Sequence, residues 1–403
     1  MNKKFLNILI MILSIALISI ISLFGYKIWQ IKNTEIIVDL NDNLDVDVFS
    51  KVKVSDFIEN INGKIVDDYQ IKTNKIGVKD VTFDYINNDK IKIEYTFKIN
   101  IKDKVAPIIK SPGKFISYKG NKVDFSNMFC GDNYDDNPVC EVIGDYDNNK
   151  NGVYPLIFRG TDISGNMSEN KFNLVIKDKP KPISSTNNKN KYESKLTDYN
   201  EIIKKYKNRK TKIGIDVSKW QGNIDFEKIN KKEIEFAFIR VGSQKGIGGE
   251  YILDPKFKRN IEGFKEKEIP VGIYFYSYAD SKDEAKKQAK WVLNQIKEYE
   301  IELPIVFDWE CWNYYQYFHK SFYNLTEISK SYLNTIKKAG YKPMLYSSKY
   351  YLENIWFDTD YDIWLAHYTD KTNYEGNYKY WQLTSTGKVE GIKGPVDINV
   401  MYK

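Results

Sequence analysis

Two carboxylates set two residues apart offer the sharpest chemistry in the chain. They are Asp308 and Glu310, in Pro304-Ile305-Val306-Phe307-Asp308-Trp309-Glu310. An apolar run behind a proline predicts a short buried strand. Side chains two apart on a strand share a face, which sets Asp308 beside Glu310 and turns Phe307 and Trp309 the other way. Adjacent buried carboxyls are costly without compensation, and like charges this close push one proton affinity up. One group then stays protonated and the other ionised near neutral pH. An acid beside a charge stabiliser suits cleavage of a glycosidic bond. The spacing alone is a weak signal: Asp225 and Glu227 repeat it where a helix is expected to begin, and read as its cap.

Other chemistries find less support. Cys311 follows Glu310, but a nucleophilic thiol wants a histidine, and the chain has only His319 and His367. A buried structural thiol is the plainer expectation. So few Cys and His leave little from which to build a zinc or haem site, so no metal and no cofactor is expected. The formal charge of +7 invites a nucleic-acid partner. Residues 177–212, however, hold twelve Lys/Arg against four Asp/Glu, which accounts for the whole surplus. No nucleic-acid partner is expected; a basic linker meeting an anionic cell wall or lipid headgroups is the better reading.

The elements that must position the carboxylates begin near residue 212, where apolar strand-like runs alternate with amphipathic helical ones. That alternation predicts parallel βα units. Strands are expected at 213–217, 236–241, 271–278, 305–309, 344–347, 363–367, 380–383 and 396–398. Ser281 and Glu284 form a capping box ahead of an apolar stripe; Asp254-Pro255 opens another helix; a third runs over 326–338 and stops at Gly340. Eight strands with trimmed helices fit a TIM-like βα barrel shorter than the ~250 residues usual for that fold. Its chemistry would sit at the carboxyl ends of the strands, where Asp216, Asp308, Glu310 and Asp397 fall together. Helix caps or turns would be the ordinary explanation for Asp216 and Asp397 singly.

Residues 212–403 resemble the family 25 glycoside hydrolases, lysozymes that cut peptidoglycan. The matching segments run in order through the whole stretch: Gly214-Ile215-Asp216-Val217-Ser218-Lys219-Trp220-Gln221-Gly222, Phe238-Ile239-Arg240, Asp254-Pro255, Gly272-Ile273-Tyr274-Phe275-Tyr276, the segment ending in Glu310, Leu345-Tyr346-Ser347, Trp364-Leu365-Ala366-His367-Tyr368, Trp381-Gln382 and Val396-Asp397-Ile398-Asn399. The resemblance implies cleavage of the β-1,4 bond between N-acetylmuramic acid and N-acetylglucosamine. Glu310 would then be the general acid. Asp308 would stabilise the transition state or orient the substrate's acetamido group, with Asp216 and Asp397 lining the same pocket. Tyr276, Tyr346, Trp364, Trp381 and Arg240 would meet the sugars. Some members place a histidine where this chain has Phe275.

The rest of the chain reads as a multidomain carrier. Residues 5–26 are nearly unbroken apolar sequence behind Lys3 and Lys4, long enough to span a bilayer. We expect residues 1–34 to be a membrane anchor with the bulk of the chain outside the cell, or otherwise a cleaved secretory signal. Residues 35–104 show short alternating runs that predict an all-β, immunoglobulin-like sandwich. A second unit at 105–178 carries Asp145-Tyr146-Asp147, Gly152-Val153-Tyr154 and Gly160-Thr161-Asp162-Ile163-Ser164-Gly165-Asn166, and resembles the immunoglobulin-like repeats of bacterial surface proteins. Its Cys130 and Cys140 are able to pair outside the cell. A basic linker is expected at 179–211. The partners implied are bacterial peptidoglycan and a membrane. The alternatives are a non-catalytic wall-binding or adhesion protein that keeps the barrel as a sugar-binding module, and a hydrolase that uses its acids on a metal.

Overall fold

The computed structural model describes residues 3–180 and 196–403. It divides into two compact units, Met1–Lys104 and Val105–Lys403. In the first, the helix Lys3–Asn33 contains a stretch, Leu6–Asn33, long and apolar enough to cross a membrane. A four-stranded sheet follows in the order Asp45–Asp47, Lys92–Lys102, Gly77–Asn87, Gly63–Ile65. Alternate residues of its two long strands face inward: Val81, Phe83 and Tyr85 on one, Phe97, Ile99 and Ile101 on the other.

The second unit opens with a smaller β region. Its sheet runs Lys114–Tyr118, Met167–Lys177, Gly152–Thr161, Val139–Ile143, and a separate pair joins Phe129–Gly131 to Ile108–Lys110. Cys130 and Cys140 are joined by a disulfide. The core of this region is Met128, Leu156, Phe158, Phe172, Leu174 and Ile176.

The remainder of the unit is a closed barrel. Its strands, first to eighth, are Thr211–Val217, Ala237–Gln244, Val271–Tyr276, Ile305–Asp308, Pro343–Ser348, Asp362–Ala366, Tyr380–Lys388 and Val396–Tyr402. The first seven run parallel, each to the next. The eighth is antiparallel to both the seventh and the first, and it closes the ring. The expectation of parallel βα units throughout is thereby corrected at the last strand. A turn of only seven residues, 389–395, joins strands seven and eight, too short for the crossover that a parallel neighbour needs. Helices Phe257–Glu266, Lys282–Ile296, Phe322–Lys338 and Lys349–Asn354 follow strands two to five, and one-turn segments stand after the first. Ser281 caps the second of these helices as expected, accepting from Glu284 N at 3.2 Å. Asp225 stands at the N-cap position of a one-turn 3-10 segment without a side-chain cap bond.

Two expected boundaries change. The basic linker at 179–211 lies partly outside the described residues, but its end is built into the barrel. Thr197–Asp198 pairs with the seventh strand, and helix Tyr199–Tyr206 buries Tyr199 and Ile202 in the barrel core. The β region at 105–178 is likewise packed on the barrel as part of one unit, because the buried ring of Phe129 stands 5.2 Å from Tyr315 and 6.3 Å from Phe322.

The fourth strand is wholly buried, and Phe307 packs outward against Tyr332 at 5.1 Å. Phe307→Ala should lower unfolding stability by about 3–5 kcal/mol, read from denaturant midpoints. A loss below 1 kcal/mol would mean that this strand is not part of the core.

Candidate active site

Register sets the first layer of the site. Across neighbouring strands Tyr276, Asp308, Tyr346, Trp364 and Tyr380 stand level with one another. Asp308 ends the fourth strand and Glu310 lies just beyond it, and both line one cavity of about 360 Å³ at the barrel mouth. Asp216 and Asp397 line it too, directly paired across strands one and eight. Asp397 reaches this rim because its strand runs backwards: it sits near that strand's start. Trp309 turns the opposite way and is fully buried against Trp312 and Phe318.

Each carboxyl has a distinct setting. Asp216 accepts from Gln382 Nε2 and Asn399 Nδ2, both at 2.8 Å. Those two amides are themselves oriented. Tyr346 and Tyr368 hydroxyls donate to Gln382 Oε1 at 2.9 and 3.0 Å, and Trp364 Nε1 donates to Asn399 Oδ1 at 2.7 Å. Burial still pushes Asp216 up to about 6, against the pull of both amides. Burial, then the charges of Asp216 and Glu310, raise Asp397 to about 8. Asp308 is 4% exposed, and one of its oxygens has no hydrogen-bond partner among the described residues. Burial, then the charge of Glu310 and its hydrogen bond, then Asp216, hold Asp308 well above the usual carboxylate range, with Arg240 pulling slightly back. Glu310 keeps an edge open to solvent, yet desolvation raises it and Asp216 adds to the rise, while its bond with Asp308 lowers it. Both members of the pair are thus raised, in each case by burial first.

The aromatic residues separate by strand alternation. Tyr276 and Tyr346 line the cavity, and Trp364 forms its floor, stacked on Phe238 at 4.5 Å. Trp381 does not reach the cavity. Its neighbour Gln382 points inward, so Trp381 points outward, edge-on to Tyr206 at 5.6 Å in the core. Phe275 faces outward for the same reason, against Trp291. Arg240 lines the cavity, but its guanidinium is committed to buried Asp254 at 2.7 and 2.8 Å. Asp254 was read from sequence only as a helix opener. Cys311 is buried, and burial first, then Asp308, pushes its thiol up, away from nucleophilic use.

Sequence reasoning passed over several residues that complete the site. Gln382 and Asn399 belong to quoted segments, but nothing in their spacing marks them as partners of Asp216. Trp220 is 75% exposed on the rim, and Tyr368 is 56% exposed beside it. An aromatic in a polar loop was the available signal for Trp220. A second hollow of about 470 Å³ adjoins the first, with Lys349, Tyr350 and His367 in its walls. Glu310, Tyr346 and Tyr368 line both hollows, so Glu310 stands where the two meet.

Asp397 binds its proton more tightly folded than unfolded, with an affinity raised from 3.8 to about 8. Its favourable contribution is complete below about pH 4 and is lost as pH rises through 8. Asp397→Asn should therefore melt close to the parent at pH 4 and a few degrees above it at pH 9. No gain at high pH in thermal denaturation would contradict the raised affinity.

Comparison with known proteins finds matches over the barrel. Residues 215–392 match the profile of Glycosyl hydrolases family 25. Over 200 residues, 46% of this chain and 68% of the relative, the chain is 32% identical to the Escherichia coli K12 protein YegX, itself described as uncharacterized. It is 23% identical over 189 residues to the autolytic lysozyme of Clostridium acetobutylicum, covering 46% of this chain and 54% of that one. Among solved structures it is similar to the modular autolysin LytC of Streptococcus pneumoniae, in complex with a synthetic peptidoglycan ligand (TM-score 0.44, 25% identity, 61% of this chain). The chain spans only 56% of that autolysin. A family 25 glycosyl hydrolase from Bacillus anthracis is similar over 49% of this chain and 92% of its own (TM-score 0.42, 25% identity).

Proposed function

The chain belongs to glycosyl hydrolases family 25, and on that premise we propose that it cleaves the β-1,4 bond between N-acetylmuramic acid and N-acetylglucosamine in peptidoglycan. The observation that carries the reading is the place of Glu310, raised in proton affinity and solvent-facing, at the junction of two adjoining hollows. A polymer laid through both would put one sugar on each side of that carboxyl. Glu310 gives its proton to the leaving oxygen as the bond to the anomeric carbon breaks. Positive charge then develops on the sugar ring above Asp308. A cation there lowers the proton affinity of buried Asp308, whose proton passes along its hydrogen bond to the Glu310 carboxylate just vacated and leaves Asp308 in its ionised, stabilising form. Water then bonds to the anomeric carbon, and the proton it gives up returns to Asp308, restoring both carboxyls.

Asp216 and Asp397 hold the pair's field. Tyr276, Tyr346 and Trp364 shape the cavity, and Trp220 and Tyr368 offer exposed ring faces to the glycan. The apolar helix Lys3–Asn33 serves as a membrane anchor or signal segment in this reading, and the two β regions act as immunoglobulin-like spacers that hold the barrel near the wall. Cleavage uses protons rather than a metal, so chelator should leave the rate unchanged.

Purified peptidoglycan incubated with the full chain should yield new muramic-acid reducing ends, and Glu310→Gln should reduce their rate of release by roughly 10²–10⁴-fold. Binding to the wall without any soluble fragment would overturn the enzyme in favour of a sugar-binding module. Loss of activity in chelator would point to acids working on a metal.

A further inference from the structure

The segment 311–321 leaves Glu310 and ends at the cap of helix Phe322–Lys338. On its barrel side it is held by aromatic packing: Trp309 meets Trp312 at 4.8 Å and Phe318 at 4.9 Å, and Trp312 stacks on Tyr351 at 3.8 Å. On its other side it is held by the β region, through the loop that the Cys130–Cys140 disulfide closes. That loop takes over the unpaired donors at the helix start. Phe322 N donates to the Asp132 carbonyl at 2.7 Å and Tyr323 N to the Asn133 carbonyl at 3.2 Å. The Asp136 carboxylate accepts from Ser321 N at 2.6 Å and from Asn324 Nδ2 at 2.8 and 3.0 Å. A carboxylate is well placed against the positive end of a helix. Asn137 meets the His319 ring at the other end of the same turn.

The fit is close as well as polar. A Cβ on Gly131 would stand 2.5 Å from the Tyr315 ring and 2.7 Å from that of Phe322, so only glycine allows this approach. From the same β region, Lys110 Nζ lies 3.1 Å from the centre of the Tyr350 ring, which lines the second hollow. The β region thus grips the segment that follows Glu310 and, through Tyr350, a wall of the second hollow.

We propose that the disulfide-closed loop 131–139 is a clamp that positions Glu310, with Asp136 as its principal positioning residue. The inference rests on Glu310 being the acid of the proposed reaction. Asp136 touches no substrate; it fixes Ser321 and Asn324, and through them the segment 311–321. Loosening that segment misplaces the acid by a fraction of its reach while leaving the sugar-binding walls intact.

The test uses the full chain with Asp136→Ala and the conservative Asp136→Asn, which retains an oxygen for Ser321 N. Two readouts are taken: kcat and KM on soluble peptidoglycan fragments, and backbone hydrogen exchange resolved along the sequence. For Asp136→Ala, kcat should fall roughly ten- to a hundredfold with KM within about twofold. Amides of 311–324 should exchange faster while those of the third strand do not, and Asp136→Asn should recover most of both. Unchanged exchange at 311–324, or a rise in KM with kcat preserved, would overturn the clamp. A parent chain that released no reducing ends would instead overturn the proposed reaction, and the exchange pattern would still decide whether the loop clamps this segment.

Discussion

Four carboxyls share one cavity with one guanidinium, and that guanidinium is already bound to a fifth. This crowding of like charge in a desolvated barrel mouth is the constraint around which the site is arranged. Asp308 and Glu310 contend for proton and charge at the end of strand four. Asp216 is paired across strands with Asp397, and amides of Gln382 and Asn399 hold it. A cluster of this kind is costly to a resting protein and gains value only when a positive centre enters it. Desolvation raises all four groups, and repulsion from neighbouring carboxyls adds to the rise at Asp308, Glu310 and Asp397.

The barrel makes this arrangement possible by a change of strand direction. Seven parallel strands bring their carboxyl ends to one rim, and a conventional eighth would have brought its own. A short hairpin-like return gives an antiparallel strand instead, and its beginning, with Asp397, arrives beside Asp216. The same sheet turns alternate residues outward into a continuous apolar layer. Fully buried Phe275, Phe307 and Trp309 there meet the helices and the segment after Glu310. Stability and chemistry therefore occupy opposite faces of the same strands, and a one-residue slip in register would exchange them.

What was legible in the sequence was whatever period-two alternation or a cap encodes locally. The shared face of Asp308 and Glu310 follows from that period, as do the positions of the eight strands within a few residues and the Ser281 cap. What could not be read depends on which strands become neighbours. Gln382 and Asn399 lie 166 and 183 residues from the aspartate they hold, and Asp254 looked like a helix cap until the fold brought Arg240 to it. Trp381 was read as a sugar contact through the family resemblance; strand alternation from Gln382 sends it into the core. Helix Tyr199–Tyr206 was hidden by its basic surroundings, since its two buried residues are too few to outweigh them in composition. The disulfide-closed loop read as a turn-rich spacer, and only its contact with Ser321 and Phe322 gives it a partner.

A direct count of protons at the barrel mouth would test this account most sharply. The infrared difference spectrum between the parent chain and Asp308→Asn, recorded at neutral pH, reports whether the substitution removes a protonated carboxyl or an ionised one. The account predicts loss of a protonated-carboxyl stretch, shifted by deuterium exchange. Loss of carboxylate bands alone would mean that Asp308 is ionised at rest, and the crowding described here would not govern the site.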